Sequence, residues 1–150
     1  MYQRHANRAV ELLLVEDNPA DARLVEEALR EARKQYHFHL ARDGQEALDF
    51  LRREGRFTTS PRPDLILLDL NLPKVLGTEV LCAVRQDQKL RRIPVLMYTS
   101  SSSDRDVNAA YECGANGYVR KPAALDDMFD IVNTLEHFWL DLSMLPSATG

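Results

Sequence analysis

The chain has 150 residues, of which 45% are hydrophobic and 28% are charged, a composition typical of one soluble globular domain. Its net charge of −4 argues against a nucleic-acid-binding face. Cys82 and Cys113 do not form a C-x-x-C pair, and the apolar run near the N-terminus is too short for a signal peptide or membrane span. We therefore predict a cytoplasmic protein with no nucleic-acid or membrane partner.

The first half of the chain alternates predicted strands with predicted helices. The apolar run Val10–Val15 predicts a buried strand, and Asn18 in an Asn-Pro pair predicts the capped start of a helix. A shorter strand follows at Phe38–Arg42. The next helix starts after the cap residue Asp43, and Gly55 suits its end.

The second half continues the same alternation. Leu65–Leu68 predicts a strand buried on both faces, and a helix follows Gly77. Pro94–Thr99 predicts the fourth strand, and the helix after it stops at Gly114. The segment YVRKP predicts the fifth strand, and ALDDMFDIVNTLEHFWLDLSML predicts one long final helix followed by a polar tail. We expect a single domain over residues 1–150, with its core at about 10–138.

Five strands that alternate with five helices predict an α/β fold, a doubly wound parallel sheet with helices on both faces. In such folds, sites form where the carboxyl ends of the strands meet. Polar residues stand at four of these predicted ends, and they are Glu16, Asp17, Asp69, Thr99 and Lys121. We therefore predict a site at this edge of the sheet.

Three neighbouring carboxylates repel one another, and a divalent cation or the Lys121 ammonium would relieve this repulsion. Mg²⁺ suits an open site of oxygen ligands, whereas zinc would need His or Cys at ligand spacing. A carboxylate beside Mg²⁺ can also attack phosphorus and form an aspartyl phosphate. Lys121 and the Thr99 hydroxyl could then hold the other phosphoryl oxygens.

Four motifs carry a resemblance to a known family. LLVEDNP, LILLDLNLP, PVLMYTS and GANGYVRKP resemble, in this order and spacing, the receiver domains of two-component response regulators. The resemblance covers about Val10 to Phe138 and implies a flavodoxin-like sheet with strand order 2-1-3-4-5. It also implies a protein that takes a phosphoryl group from a histidine kinase, catalyses its own phosphorylation and dephosphorylation, and is not a conventional enzyme.

The same resemblance assigns roles to individual residues. Asp69 would be the phosphoacceptor, and Thr99 and Lys121 would contact the phosphoryl group. Tyr118 would be the aromatic residue whose rotamer follows the switch, and Ser101 would tune the phosphate lifetime. The ligands implied for Mg²⁺ are Glu16, Asp17, Asp69 and the main-chain carbonyl of Asn71, and Asn71 is also a lifetime-tuning position.

Loop and tail patterns resemble a narrower group. The polar loop REGRFTTSPRP, the turn DLNLPK and the continuation HFWLDLSMLP resemble the stand-alone regulators partnered with bacterial phytochromes. The chain departs from the family in one place, where Leu76-Gly77 replaces the usual Asp-Gly. Gly77 still permits a close approach to the next helix, whereas Leu76 changes the local partner surface.

Two other functions compete with a phosphorylated switch. A pseudo-receiver would be a phosphate-independent interaction module, but such modules commonly lose an acid, the threonine or the lysine, and all are present here. An aspartyl phosphohydrolase would want a second acid two residues after Asp69, where this chain has Asn71.

The final helix carries more apolar surface than one face of a sheet can cover. We predict a homodimer through this helix and the neighbouring face of the fourth helix and fifth strand, although the C-terminal tail folding back over the surplus would be an alternative. The predicted interface residues are Met128, Ile131, Leu135, Phe138, Trp139 and Leu142.

Overall fold

The computed structural model describes residues 8–146 and contains a five-stranded parallel sheet. The strands are β1 (Val10–Val15), β2 (Tyr36–Ala41), β3 (Leu65–Leu68), β4 (Val95–Thr99) and β5 (Gly117–Arg120). Their order in the sheet is β2-β1-β3-β4-β5, which confirms the predicted order 2-1-3-4-5.

Helices cover both faces of this sheet. They are α1 (Pro19–Arg30), α2 (Gly44–Arg52), α3 (Gly77–Gln86), α4 (Asp104–Glu112) and α5 (Leu125–Leu135). One hydrophobic cluster lies under α2, α3 and α4, and the other lies under α1 and α5. Alternate residues of β1 enter the two clusters, with Leu13 in the first and Leu12 in the second, as the two-residue period of a strand requires. Among the described residues, no helix has the length and apolar character needed to span a membrane.

Several predicted boundaries differ from the structure by one or more residues, and two of these differences have a clear local cause. β2 begins at Tyr36 rather than Phe38, because it pairs with β1 along its whole length, from Val10 opposite Tyr36 onward. α2 ends at Arg52 rather than near Gly55. The next residue, Arg53, adopts left-handed backbone angles (φ 58°), and its N–H caps carbonyls of the last turn, so the helix stops before the glycine.

The final helix changes its geometry part-way along. After α5, residues Glu136–Leu142 form a π-helical segment, a change that nothing in the sequence predicted. Its Glu136 is buried and accepts hydrogen bonds from the Lys34 amide and the Tyr36 hydroxyl. Met128 belongs to the cluster under α1 and α5 and is fully buried within one chain. This burial corrects its assignment to the dimer surface, because Met128 is not available to a partner.

Candidate functional site

The ends of β1, β3, β4 and β5 bring the predicted polar residues to one edge of the sheet. Backbone hydrogen bonds continue the strand pairing into this edge, from Asp69 N to Val15 O (3.1 Å) and from Lys121 N to Thr99 O (2.8 Å). Glu16 and Asp69 are buried, although each directly follows a strand. Parallel pairing therefore positions both carboxylates at the end of the sheet.

The Lys121 ammonium lies at the centre of the site. Its Nζ is 2.6 Å from Glu16 Oε1, 2.9 Å from Asp69 Oδ2 and 3.0 Å from Asp21 Oδ2. Burial alone would lower the pKa of Lys121, but its close contacts with these three carboxylates outweigh burial and raise it. Lys121 therefore remains charged and partly neutralises the acids around it.

Glu16 is incompletely satisfied for a buried carboxylate. Its Oε2 accepts a hydrogen bond from the Asn18 amide at 3.0 Å. Its Oε1 is buried and makes no aligned hydrogen bond, so its contact with Lys121 is an ion pair. Burial raises the pKa of Glu16, and the nearby Asp69 adds to this effect, while Lys121 and the Asn18 amide oppose it. A further cation would therefore be favourable beside Glu16.

The geometry of the acidic residues fits a divalent cation. One carboxylate oxygen from each of Glu16, Asp17 and Asp69 lies within 4.8 Å of the other two. Asp17 is exposed, so this group opens to solvent and leaves room for water ligands. Hard oxygen donors in an open site suit Mg²⁺ or Mn²⁺.

The loop after β3 packs closely against the phosphoacceptor candidate. A Cβ atom at Gly77 would lie 2.0 Å from the Asp69 carbonyl oxygen, so only glycine fits there, as predicted. Leu76 is exposed and caps α3 without a side-chain hydrogen bond. Asn71 lies on the same loop with its side chain exposed. The apolar Leu76 thus lies on the surface beside the site.

The switch candidates share a connection through the loop after β4. Thr99 is fully buried, and its Oγ1 faces the Ser101 amide at 3.5 Å. The Tyr118 hydroxyl donates a hydrogen bond to the Ser101 carbonyl at 2.9 Å, and burial raises the pKa of Tyr118. The Ser101 hydroxyl donates to Asp106 on α4. The loop therefore links Thr99, Tyr118 and α4.

Sequence reasoning missed Asp21. This residue lies in the first turn of α1 and contacts Lys121 from that helix. The available signal was an acidic residue in the first turn of the helix that follows Glu16 and Asp17. An acid at such a position ordinarily interacts favourably with the helix N-terminus, and so it does not by itself indicate a role in a site.

Comparison with known proteins identifies the family. Residues 12–133 match the family model of the response regulator receiver domain. The chain belongs to this family. Response regulator Rcp1 of Synechocystis sp. is 47% identical over 137 residues, which cover 91% of this chain and 93% of Rcp1.

Solved structures agree with this assignment to the receiver domains. The phosphorylated cyanobacterial phytochrome response regulator RcpA has a TM-score of 0.87 and 45% identity, covering 93% of this chain and 99% of RcpA. The Mn²⁺-bound form of Rcp1 has a TM-score of 0.84 and 46% identity, covering 92% of this chain and 99% of that chain. This receiver domain thus resembles one relative in a phosphorylated state and another in a metal-bound state.

Proposed function

We propose that this receiver domain accepts a phosphoryl group on Asp69 from a histidine kinase, in a Mg²⁺-dependent reaction. The observation that carries the proposal is the position of Asp69. Its carboxylate belongs to the group that fits a divalent cation, and its Oδ2 also lies 2.9 Å from Lys121 Nζ. A nucleophile that lies between a metal site and a fixed ammonium is suited to phosphoryl transfer.

The residues of the site divide the chemical work. Glu16, Asp17, Asp69 and the main-chain carbonyl of Asn71 would hold the ion. When bound, Mg²⁺ neutralises negative charge on the transferring phosphoryl group. An Asp69 oxygen forms the new bond to phosphorus as the bond to the donor imidazole breaks. Lys121 would place positive charge beside the phosphoryl oxygens that do not join Asp69, and hydrolysis by water would later restore the free carboxylate.

Phosphorylation would shift an existing equilibrium between two conformations. The Thr99 hydroxyl would turn toward the phosphoryl oxygen, and Tyr118 would exchange its bond to the Ser101 carbonyl for an inward rotamer. Asn71 and Ser101, on the two loops beside the site, would tune the lifetime of the phosphate. Thr99→Ala should accept phosphate but transmit less change to the partner surface, which phosphate-dependent chemical shifts on α4 and β5 would measure. A response equal to that of wild type would exclude Thr99 from the coupling.

The kinase would be a bacterial phytochrome, and both proteins would be cytoplasmic. Two observations support this partner, namely the loop and tail patterns and the similarity to RcpA, which is a phytochrome response regulator. Phosphotransfer assays would test the pairing. A phytochrome kinase should transfer its phosphoryl group to this chain, and an unrelated histidine kinase should not.

A homodimer through the C-terminal helical region forms the second part of the proposal. Phe138 and Leu142 are 52% and 54% exposed, whereas Ile131, Leu135 and Trp139 pack partly against the cluster under α1 and α5. The surface offered to a second copy is therefore narrower than predicted and consists of Phe138, Leu142 and the 61% exposed Met144. Burying each large apolar side chain contributes roughly 1.5–3 kcal/mol.

Sedimentation would test this surface. Replacing both Phe138 and Leu142 with glutamate should yield a monomer that still accepts phosphate. Leu76→Glu, at an exposed apolar residue just before α3, is the matched control and should remain dimeric. A wild-type protein that is monomeric at high micromolar concentration, with and without phosphate, would contradict the dimer.

Phosphate incorporation tests the central part of the proposal. With Mg²⁺ and acetyl phosphate, wild type should take up phosphate and Asp69→Asn should not, because the amide is not a nucleophile. Asp127→Asn, an exposed carboxylate on α5, should behave as wild type. If the folded wild type took up no phosphate with or without Mg²⁺, the pseudo-receiver alternative would replace the switch.

A further inference from the structure

Three carboxylates contact the Lys121 ammonium, and one of them does not come from a strand end. An ammonium has three N–H donors, and Glu16, Asp69 and Asp21 each lie within 3.0 Å of Nζ. We infer that Asp21 is a positioning residue that holds Lys121 against Asp69 during phosphorylation. The inference rests on the proposed function, in which Asp69 is the phosphoacceptor.

The helical turn that carries Asp21 is capped and packed against the core. Its backbone N–H donates to the Asn18 side chain at 3.2 Å, within the capped first turn of α1. The next residue, Ala22, is buried in the cluster under α1 and α5, and Val25 one turn later is fully buried. The first turn of α1 is therefore fixed to the sheet, and this places the Asp21 carboxylate within reach of Lys121.

The three carboxylates that contact Lys121 differ in the other groups that they would bind. Glu16 and Asp69 both belong to the group of oxygens that fits a cation, whereas Asp21 does not. Asp69 must also form the bond to phosphorus. Asp21 is therefore the partner whose charge remains available to Lys121 when the other two carboxylates engage the cation and the phosphoryl group. Its side chain is 33% exposed, against 0% for Glu16, so it holds the ammonium from the open side of the site.

This arrangement predicts a specific separation of effects. Loss of Asp21 should slow phosphorylation at saturating Mg²⁺, because the ammonium then samples positions away from Asp69. It should leave the affinity for Mg²⁺ nearly unchanged, because Asp21 supplies no ligand oxygen to the cation group. A residue that only stabilises the fold would not lower the phosphorylation rate while leaving the affinity for Mg²⁺ unchanged.

The experiment compares Asp21→Ala, Asp21→Asn and the control Glu26→Ala. Glu26 is an exposed acid on the same helix, so its loss changes the net charge equally without removing a contact to Lys121. Phosphorylation by acetyl phosphate should slow roughly fivefold to tenfold in Asp21→Ala. Asp21→Asn keeps an acceptor oxygen but loses the charge, so its rate should lie between those of Asp21→Ala and wild type. Glu26→Ala should match wild type.

A second readout does not depend on phosphorylation. The exchange of the Lys121 ammonium protons with solvent can be followed by ¹⁵N NMR without metal or phosphodonor. These protons should exchange slowly in wild type and faster in Asp21→Ala. Unchanged exchange together with an unchanged phosphorylation rate would overturn the inference. An equal loss of rate and of Mg²⁺ affinity would also overturn it, because Asp21 would then act through the metal. If wild type took up no phosphate while the ammonium remained protected through Asp21, the proposed function would fail and the positioning of Lys121 would stand.

Discussion

Glu16 and Glu136 are both 1% exposed, yet their surroundings differ in charge balance. Glu136 accepts hydrogen bonds from the Lys34 amide at 3.0 Å and the Tyr36 hydroxyl at 2.9 Å. Beside it, Asp141 pairs with Arg33 and Lys34, so within residues 8–146 these two carboxylates face two cations. Hydrogen bonds and opposite charges thus satisfy the cluster around Glu136.

The cluster around Glu16 has an excess of negative charge. The ion pairs found within residues 8–146 join Glu16, Asp21 and Asp69 to the same cation, Lys121, and Asp17 lies beside two of these acids. A buried charge is tolerated when partners satisfy it, whereas neighbouring like charges favour an added cation. Burial alone therefore does not distinguish the two clusters, whereas the balance of charge around the buried carboxylate does.

The largest effect on stability should come from the cluster around Glu136, in which the charges are balanced. Glu136→Ala leaves the Tyr36 hydroxyl and the Lys34 amide without their acceptor, so we expect the free energy of unfolding to fall by about 2–4 kcal/mol. Glu136→Gln keeps an acceptor oxygen and should lose less. Urea denaturation without metal measures both values. A loss below about 0.5 kcal/mol in Glu136→Ala would remove the contrast between the two clusters.

Mg²⁺ should stabilise the protein by binding at the cluster around Glu16, which has an excess of negative charge. At ten times the dissociation constant, the gain in the free energy of unfolding should be about 1.4 kcal/mol. Glu136→Ala should show the same gain from its lower starting point, because it leaves the acidic site intact. An absence of any Mg²⁺-dependent gain in wild type would count against the metal site.

Asp17→Asn should separate metal binding from stability. The substitution removes one ligand and one repelling charge, so Mg²⁺ affinity should fall roughly tenfold, while stability without metal should remain equal or rise slightly. Calorimetric titration and urea denaturation measure the two quantities. Equal Mg²⁺ affinity in the two proteins would exclude Asp17 as a ligand.

The smallest expected effect is on the stability of the cluster around Glu136 at acid pH. Hydrogen bonding to Lys34, together with Arg33, lowers the pKa of Asp141 below its usual value of 3.8, although burial opposes this. The ionised form therefore stabilises the fold above pH 3.8, and this contribution is lost as the pH falls through the lowered pKa. Asp141→Asn should show a weaker dependence of unfolding free energy on pH in that acid range. An unchanged slope would show that the ion pairs do not stabilise the fold.

Local signals in the sequence predicted much of the fold. The Asn18 side chain caps α1 as expected, and the run Leu65–Leu68 forms the buried central strand. Strand ends also indicated where Glu16 and Asp69 meet. These features depend on neighbouring residues or on the general rule for parallel sheets, so the sequence carries them directly.

Features that depend on distant packing were not predictable in this way. Asp21 and Lys121 are in contact although they are 100 residues apart, and Glu136 lies equally far from its partner Tyr36. The apolar stripe of the final helix likewise gave no indication that Met128 lies in the interior while Phe138 remains exposed. Which apolar residues of the final helix are buried depends on how that helix packs against α1.

Locating the phosphate on the chain tests the central claim most directly. After incubation with Mg²⁺ and acetyl phosphate, borohydride reduces an aspartyl phosphate to homoserine, and peptide mass spectrometry identifies the converted residue. We expect homoserine at position 69 and unmodified residues at Glu16, Asp17 and Asp21. Homoserine at position 17 or 21, or conversion at no position in a folded protein, would contradict the assignment of Asp69 as the phosphoacceptor.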